Sequence, residues 1–336
     1  MIGASVRRLA LIGLLAASLA LAACSKDEPT SPSTSPTKSP DAPPQIWPLT
    51  GLQAKAGESV ALKHPVLVTK IDNTTSSSPQ IGLDHADMVV EELVEGGLTR
   101  LAVFYYSDIP DQVGPVRSMR ASDVGIVSPV DASVVTSGAA ARTISIIKSA
   151  GIPFFAEGAA GIYREESRVA PYNLFADLSK VAKQAETKAA TPPEYLPWGD
   201  AGDLPRGKPA SAFTANFSGG HRTEWSYQGG KYVNTNSNAD AGQQFPADTV
   251  LVLHVKVGDA GYLDPAGNPV PETKFEGDGV CQLFHGGRMV PCQWHKDGLD
   301  GTVTLSNKAG DLTVPAGHTW LELVPIDGGG FTITKK

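Results

Sequence analysis

The chain has 336 residues, a formal net charge of −7 and 41% hydrophobic residues, enough for one large folded core or two ordinary ones. An acidic chain with no lysine or arginine cluster is a poor match for nucleic acid, for an anionic membrane face or for an acidic polymer spread over its whole surface. A local arginine pocket could still take an anion.

Arg7 and Arg8 precede an apolar run over residues 9–21, which ends in Leu21-Ala22-Ala23-Cys24. The run is too short for a comfortable membrane span and ends in small residues, so residues 1–23 read as a removable signal peptide. A cysteine directly after Leu-Ala-Ala resembles a bacterial lipobox, which implies a lipidated Cys24 and an exported protein. Stable anchoring needs more than one acyl chain, so the expected state is lipid-anchored at the outer face of the cytoplasmic membrane. Residues 24–45 are rich in Ser, Pro and Thr and read as an extended tether, reaching about 3 Å per residue.

A first domain is expected over residues 46–190. Trp47 should pack beneath it, and residues 64–73 form a buried strand ending in Asp72 and Asn73. That polar pair either faces a crevice at the strand end or closes an Asx turn. The apolar runs 88–90 and 101–106 predict two more strands. Between them lies Glu95-Gly96-Gly97-Leu98-Thr99-Arg100, and after them Gly114-Pro115-Val116-Arg117-Ser118-Met119-Arg120. Glycine pairs let backbone approach other groups closely, so Glu91, Glu95, Arg100, Arg117, Ser118 and Arg120 could line a polar cleft; ordinary surface ion pairing is the plain alternative. Ser122 or Asp123 caps a short helix, 133–136 is a strand, and Ser137-Gly138 opens a helix over 139–149 that Gly151 stops. Residues 152–155 are strand-like again. The nucleotide-loop glycine spacings are absent. Arg164 and Arg168 lie among aromatics and suit stacking or forked ion pairs, and Asp177 caps a helix to about residue 189. Strands alternating with helices indicate an α/β arrangement.

Residues 191–210, dense in Pro and Gly, read as a linker, and the short strand-like runs over 211–336 as a second, smaller β-rich domain. With Gly286-Gly287 as a two-residue hairpin turn, His285 faces Arg288 and Cys281 faces Cys292, close enough for a disulfide. Export favours that bond over zinc. His254 reads as a strand histidine, while His285, His295 and His318 share no metal spacing. No metal or cofactor is expected, and Trp225, Trp294 and Trp320 suit core packing.

The segments PLTGL (48–52), Ile71-Asp72-Asn73, PQIGLDHADMVVEE (79–92), VEGGLTR (94–100), GPVRSMR (114–120) and APYNLF (170–175) resemble the YerB-like lipoprotein family. Residues 277–296 and 315–323 are similar to its C-terminal domain. The resemblance implies a mixed α/β (α+β) N-terminal domain, a β-rich C-terminal domain and membrane attachment, but no activity. Tyr172 and Thr136 stand where relatives carry histidine, which argues against a hydrolase that uses those histidines. The expected function is a non-enzymatic binding or scaffolding protein of the cell envelope. The candidate ligand-binding residues are Asp72, Asn73, Glu91, Glu95, Arg100, Arg117, Ser118, Arg120, Arg168 and Asn173; the partner is an anionic or glycan-type ligand or an exported protein. The alternative is an envelope hydrolase or transferase with Glu91 or Glu95 as acid and Asp72 or Asp123 as base.

Overall fold

A computed structural model describes residues 44–264 and 267–334; the leader, Cys24 and most of the tether lie outside them. Among the described residues no helix is long and apolar enough to cross a membrane. Residues from Pro44 onward form one compact unit.

The first half supplies β1 (Leu67–Asp72), β2 (Met88–Leu93), β3 (Thr99–Tyr105), α1 (Asp123–Val127), β4 (Ser133–Val135), α2 (Ala141–Ser149), β5 (Phe154–Phe155), β6 (Ile162–Arg164), β7 (Leu174–Ala176) and α3 (Leu178–Gln184). The middle adds β8 (Trp198–Gly199), β9 (Lys208–Pro209), β10 (Ala212–Asn216), β11 (Arg222–Gln228) and β12 (Lys231–Asn234). The remainder is β13 (Thr249–Leu263), β14 (Pro269–Lys274), β15 (Gly277–His285), β16 (Arg288–Lys296), β17 (Val303–Asn307), β18 (Gly310–Leu312), β19 (Val314–Pro315), β20 (Thr319–Pro325) and β21 (Gly330–Ile333).

One sheet runs through both halves in the order β18-β17-β16-β15-β13-β20-β2-β3-β1-β4-β5. Strand β20 is the join. It lies parallel to β13 on one side and to β2 on the other. Strands β1, β3 and β20 are buried at every residue, and β2 at all but the last. They can be so because the sheet is covered on both faces, which explains runs of consecutive apolar residues in place of strict alternation. Val68, Val90, Phe104, Leu251 and Leu321 pack on one face; Leu67, Val89, Val103, Val250 and Trp320 pack on the other. A second sheet, β12-β11-β10-β21, helps cover the latter face, with the Phe213 ring stacked 3.6 Å from Phe284.

The expected disulfide forms, Cys281 and Cys292 being direct register partners with Cα atoms 4.8 Å apart. Gly286 and Gly287 turn the hairpin at φ +57° and +72°, the positive pair that a tight hairpin requires. Trp47 packs edge-on to Tyr106, as expected. The third helix stops at Gln184, short of residue 189, although Asp177 does cap it by accepting from the Lys180 amide at 3.0 Å. The 191–210 segment is not a loose connection. Tyr195 is fully buried and donates to the Ile126 carbonyl at 2.9 Å, while β8 pairs with β19 and β9 with β16. Proline and glycine marked the absence of long elements there, not the absence of packing.

Asp248, just before β13, accepts from Lys231 Nζ at 2.6 Å and from the His318 amide at 2.9 Å, tying the small sheet to the approach of β20. Burial alone would raise its carboxyl, but the His318 and Lys231 contacts hold it down to about 2. A depressed carboxyl stabilises the fold above its ordinary value near 3.8, and the contribution fades as pH falls through about 2. The side chain is a quarter exposed, so the contribution is set at about 1–2 kcal/mol after screening. Urea denaturation of Asp248→Asn is expected to show that loss at pH 7 and a narrower gap near pH 3; a gap independent of pH would contradict it.

Candidate functional site

Three segments bring the polar residues together. The connection from β2 to β3 turns through Gly96 and Gly97, both at φ +71°, a conformation that side-chain-bearing residues rarely adopt. On β3, Arg100 is the register partner of both Asp72 on β1 and Glu92 on β2. The 114–120 segment is pinned alongside, its Arg117 amide donating to the Lys70 carbonyl at 2.8 Å. Thr136, one of the positions that departs from the family's histidine, does positional work. Its hydroxyl accepts from the Met119 amide at 3.0 Å and donates to the Arg117 carbonyl at 3.1 Å.

The outcome is a hollow of about 230 Å³ lined by Asp72, Glu95, Arg100, Arg117 and Tyr172, with Asp264 and Asn268 contributed by the β13–β14 connection. Arg117 Nε donates to Asp72 Oδ2 at 2.9 Å, and its guanidinium lies 5.5 Å from the Tyr172 ring centre. Tyr172, the second departure, is therefore a wall of the hollow. Arg120 forks onto Glu95. Burial would raise the Glu95 carboxyl, but Arg120 and then Arg100 hold it below its usual value. Arg100 is 5% exposed. Its Nη1 donates to the Ser118 carbonyl at 2.9 Å, while its Nε has no partner and its Nη2 stands 4.0 Å from Glu95. Burial, then the charges of Arg120 and Arg117, lower its pKa to about 10, so it stays protonated at neutral pH.

Behind the hollow lies a buried second cluster. Glu91 Oε1 accepts from Thr99 at 2.7 Å, from Asn73 at 3.0 Å and from His221 Nε2 at 2.8 Å, while Oε2 accepts from Thr223 at 2.9 Å. Burial alone would raise the Glu91 carboxyl, but His221 and Thr99 keep it low. Its register partner across β20 is Glu322, pushed well above the ordinary carboxyl range by burial and by the Glu91 charge. Glu322 Oε2 is buried without a partner within hydrogen-bond geometry, and the Trp225 and Trp320 indoles offset only part of the upward push on its carboxyl. The third buried group is Lys70, whose Nζ lies 2.6 Å from both Glu92 Oε1 and Asp123 Oδ1. Asp123 also accepts from the Arg120 amide at 2.6 Å; Ser122 makes no side-chain cap of α1.

Of the residues expected from sequence, Asp72, Glu95, Arg100 and Arg117 line the hollow. Arg120 and the Ser118 carbonyl support it, and Asn73 and Glu91 belong to the second cluster. Two stand elsewhere: Arg168 donates to the Ser77 and Pro79 carbonyls, and Asn173 accepts from Arg164. The sequence reading missed His221, Thr223, Glu322, Lys70, Asp264 and Asn268. No local pattern marks His221, whose partner Glu91 is 130 residues away. Among the described residues no group of three or more His, Cys, Asp or Glu side chains could hold a metal ion.

Comparison with known proteins gives the same architecture. A Bacillus subtilis (strain 168) protein described as "Putative lipoprotein YerB" is 25% identical over 299 residues, covering 83% of this chain and 86% of that protein. The crystal structure of YerB protein from Bacillus subtilis superposes with a TM-score of 0.69 at 19% identity, covering 86% of this chain and 99% of the other, so the two share a fold. Residues 49–191 match the N-terminal domain, and residues 213–321 the C-terminal domain, of the family described as "Protein of unknown function (DUF3048)", and this chain belongs to that family.

Proposed function

We propose that this protein is a lipid-anchored binding protein of the bacterial cell envelope, and that its first-half hollow grips a small ligand by an anionic group. The carrying observation is Arg100, nine-tenths buried on the wall of the hollow, with a buried Nε that has no partner and an Nη2 that comes no nearer than 4.0 Å to Glu95. A guanidinium gives up hydration to be buried and regains it only through partners; here part of its donor set is unspent. Arg117 spends its Nε on Asp72. The donors left over, on Arg117 above all, suit a carboxylate or phosphate, each charged hydrogen bond contributing about 1.5–3 kcal/mol.

The same geometry favours binding over carboxylate chemistry. Glu95 and Asp72 are committed to arginines, and Glu91 and Asp123 have no exposure. A general acid needs a carboxyl kept protonated beside its substrate, and Arg120 holds Glu95 the other way. The anchor rests on the lipobox-like sequence at Cys24 and on the relative's description as a lipoprotein.

A thermal-shift screen of phosphate- and carboxylate-bearing envelope fragments tests the reading. A ligand at about a hundred times its Kd stabilises by about 2.7 kcal/mol, and Arg117→Ala should weaken binding at least about tenfold, the equivalent of one charged hydrogen bond. If no anion raises the melting temperature, or Arg117→Ala responds like the wild type, the reading fails.

A further inference from the structure

A larger hollow, about 680 Å³, opens in the second half of the chain and shares no residue with the first. Its cause is a break in the sheet. Strand β17 pairs with β16 only from Gln293 onward, and β9 pairs only with Arg288 and Met289. Residues 290–292 therefore have no strand beyond them on that side. Pro291 sits in the gap, and without an N–H it cannot continue a ladder. The outer edge is blunted against strand addition, and what forms is a hollow whose apolar lining is Pro205, Val290, Pro291, Cys292 and Ala309, with Val290 and Cys292 buried at its base.

Its rim is cationic. Arg206, Lys208 and Lys308 line it, and no carboxylate does. A second hollow, about 250 Å³, shares the 205–207 strap and adds His285 and Arg288, again without a carboxylate. Arg288 fastens the strap by donating to the Gly207 carbonyl at 2.8 Å. Among the described residues none of Arg206, Lys208, Arg288 and Lys308 forms an ion pair. In a chain of net charge −7, unpaired cations around an apolar floor describe the complement of one kind of ligand. The volume is within the roughly 300–1,000 Å³ of small-molecule sites.

We propose that this hollow binds an amphiphilic anion, an apolar body carrying a phosphate or carboxylate. The apolar part lies on Val290, Pro291 and Cys292, and the charged group meets Lys208, Lys308 and Arg206. The site is independent of the arginine hollow in the first half and survives its failure.

The test titrates octyl phosphate into the full chain held by its anchor in nanodiscs of neutral phosphatidylcholine, with empty discs subtracted. Octanol and inorganic phosphate serve as comparison ligands. Saturable one-to-one binding at least about tenfold tighter than either comparison ligand is expected. Arg206→Gln/Lys208→Gln/Lys308→Gln, all at exposed positions, made in an Arg117→Ala background so that the arginine hollow takes no phosphate, should weaken it about tenfold or more relative to Arg117→Ala alone. No saturable binding, or binding indifferent to the triple substitution, overturns the proposal. Discs containing phosphatidylglycerol separate the two sources: competition with octyl phosphate supports a bilayer lipid as occupant, and undiminished affinity supports a soluble amphiphile. Attachment of the protein to anionic bilayers without binding of monomeric octyl phosphate would overturn the hollow in favour of a membrane-docking face.

Discussion

Glu91→Gln is expected to lose about 3–5 kcal/mol of stability, the cost of breaking a buried charged network from one side, while Glu322→Gln stays within about 1 kcal/mol of the wild type at pH 5. The two glutamates face each other across parallel strands with no exposure, yet their roles differ. Glu91 is an acceptor surrounded by Thr99, Asn73, His221 and Thr223; an amide there turns an NH₂ toward donors. Glu322 accepts from Trp225 Nε1 at 2.7 Å and donates its own proton to Glu91, and glutamine reproduces both bonds. The pH dependence separates the pair further. A carboxyl whose folded pKa is raised keeps a proton that the unfolded chain loses above about 4.5. Its contribution therefore falls as pH rises toward the folded value, by up to about 1.4 kcal/mol per pH unit. Glutamine has no such slope, so Glu322→Gln should gain on the wild type between pH 5 and pH 8. Urea denaturation at three pH values measures the gap, and parallel curves would refute a protonated Glu322.

Lys70→Met is expected to be comparably costly, about 3–5 kcal/mol, because it leaves Glu92 and Asp123 buried without their cation. Both carboxylates lie 2.6 Å from Lys70 Nζ, and all three side chains have no exposure. Burial already raises the Glu92 carboxyl, offset mainly by Lys70, and Glu92 Oε2 has no partner. Adding Glu92→Leu removes one of the two stranded carboxylates and should recover part of that loss, since apolar replacement of buried ion pairs is often neutral or stabilising. The single variant should also loosen the arginine hollow, since Asp123 holds the Arg120 amide and the Lys70 carbonyl holds that of Arg117. Denaturant midpoints of the single and double variants check the first claim, and anion affinity at a temperature where both are folded checks the second. A single variant as stable as the wild type would show that the triad contributes nothing to the fold.

Much of this molecule is readable along the chain because its causes are local. The consecutive apolar residues of β1, β2, β3 and β20 mark strands covered on both faces. Gly286-Gly287 sets a hairpin register that carries Cys281 onto Cys292, and the recurring glycines and arginines at 94–100 and 114–120 mark the hollow. Arg168 and Asn173 share that chemistry but not the place: Arg168 is drawn to the Ser77 and Pro79 carbonyls and Asn173 to Arg164 at the end of β6, pairings that residue type does not reveal.

Tertiary structure alone decided that β20 would enter the sheet between β13 and β2. That insertion sets Glu322 against Glu91, and the neighbouring small sheet carries His221 and Thr223 into a cluster otherwise built from the first half. It also drew Tyr195 and β9 of the Pro- and Gly-rich 191–210 segment into the fold, where β9 meets the interrupted outer edge of β16. The physical reason is range. Turn chemistry, periodicity and hairpin register act over a few residues, whereas parallel pairing joins strands distant in sequence, and what it brings together depends on the shape of everything packed around it.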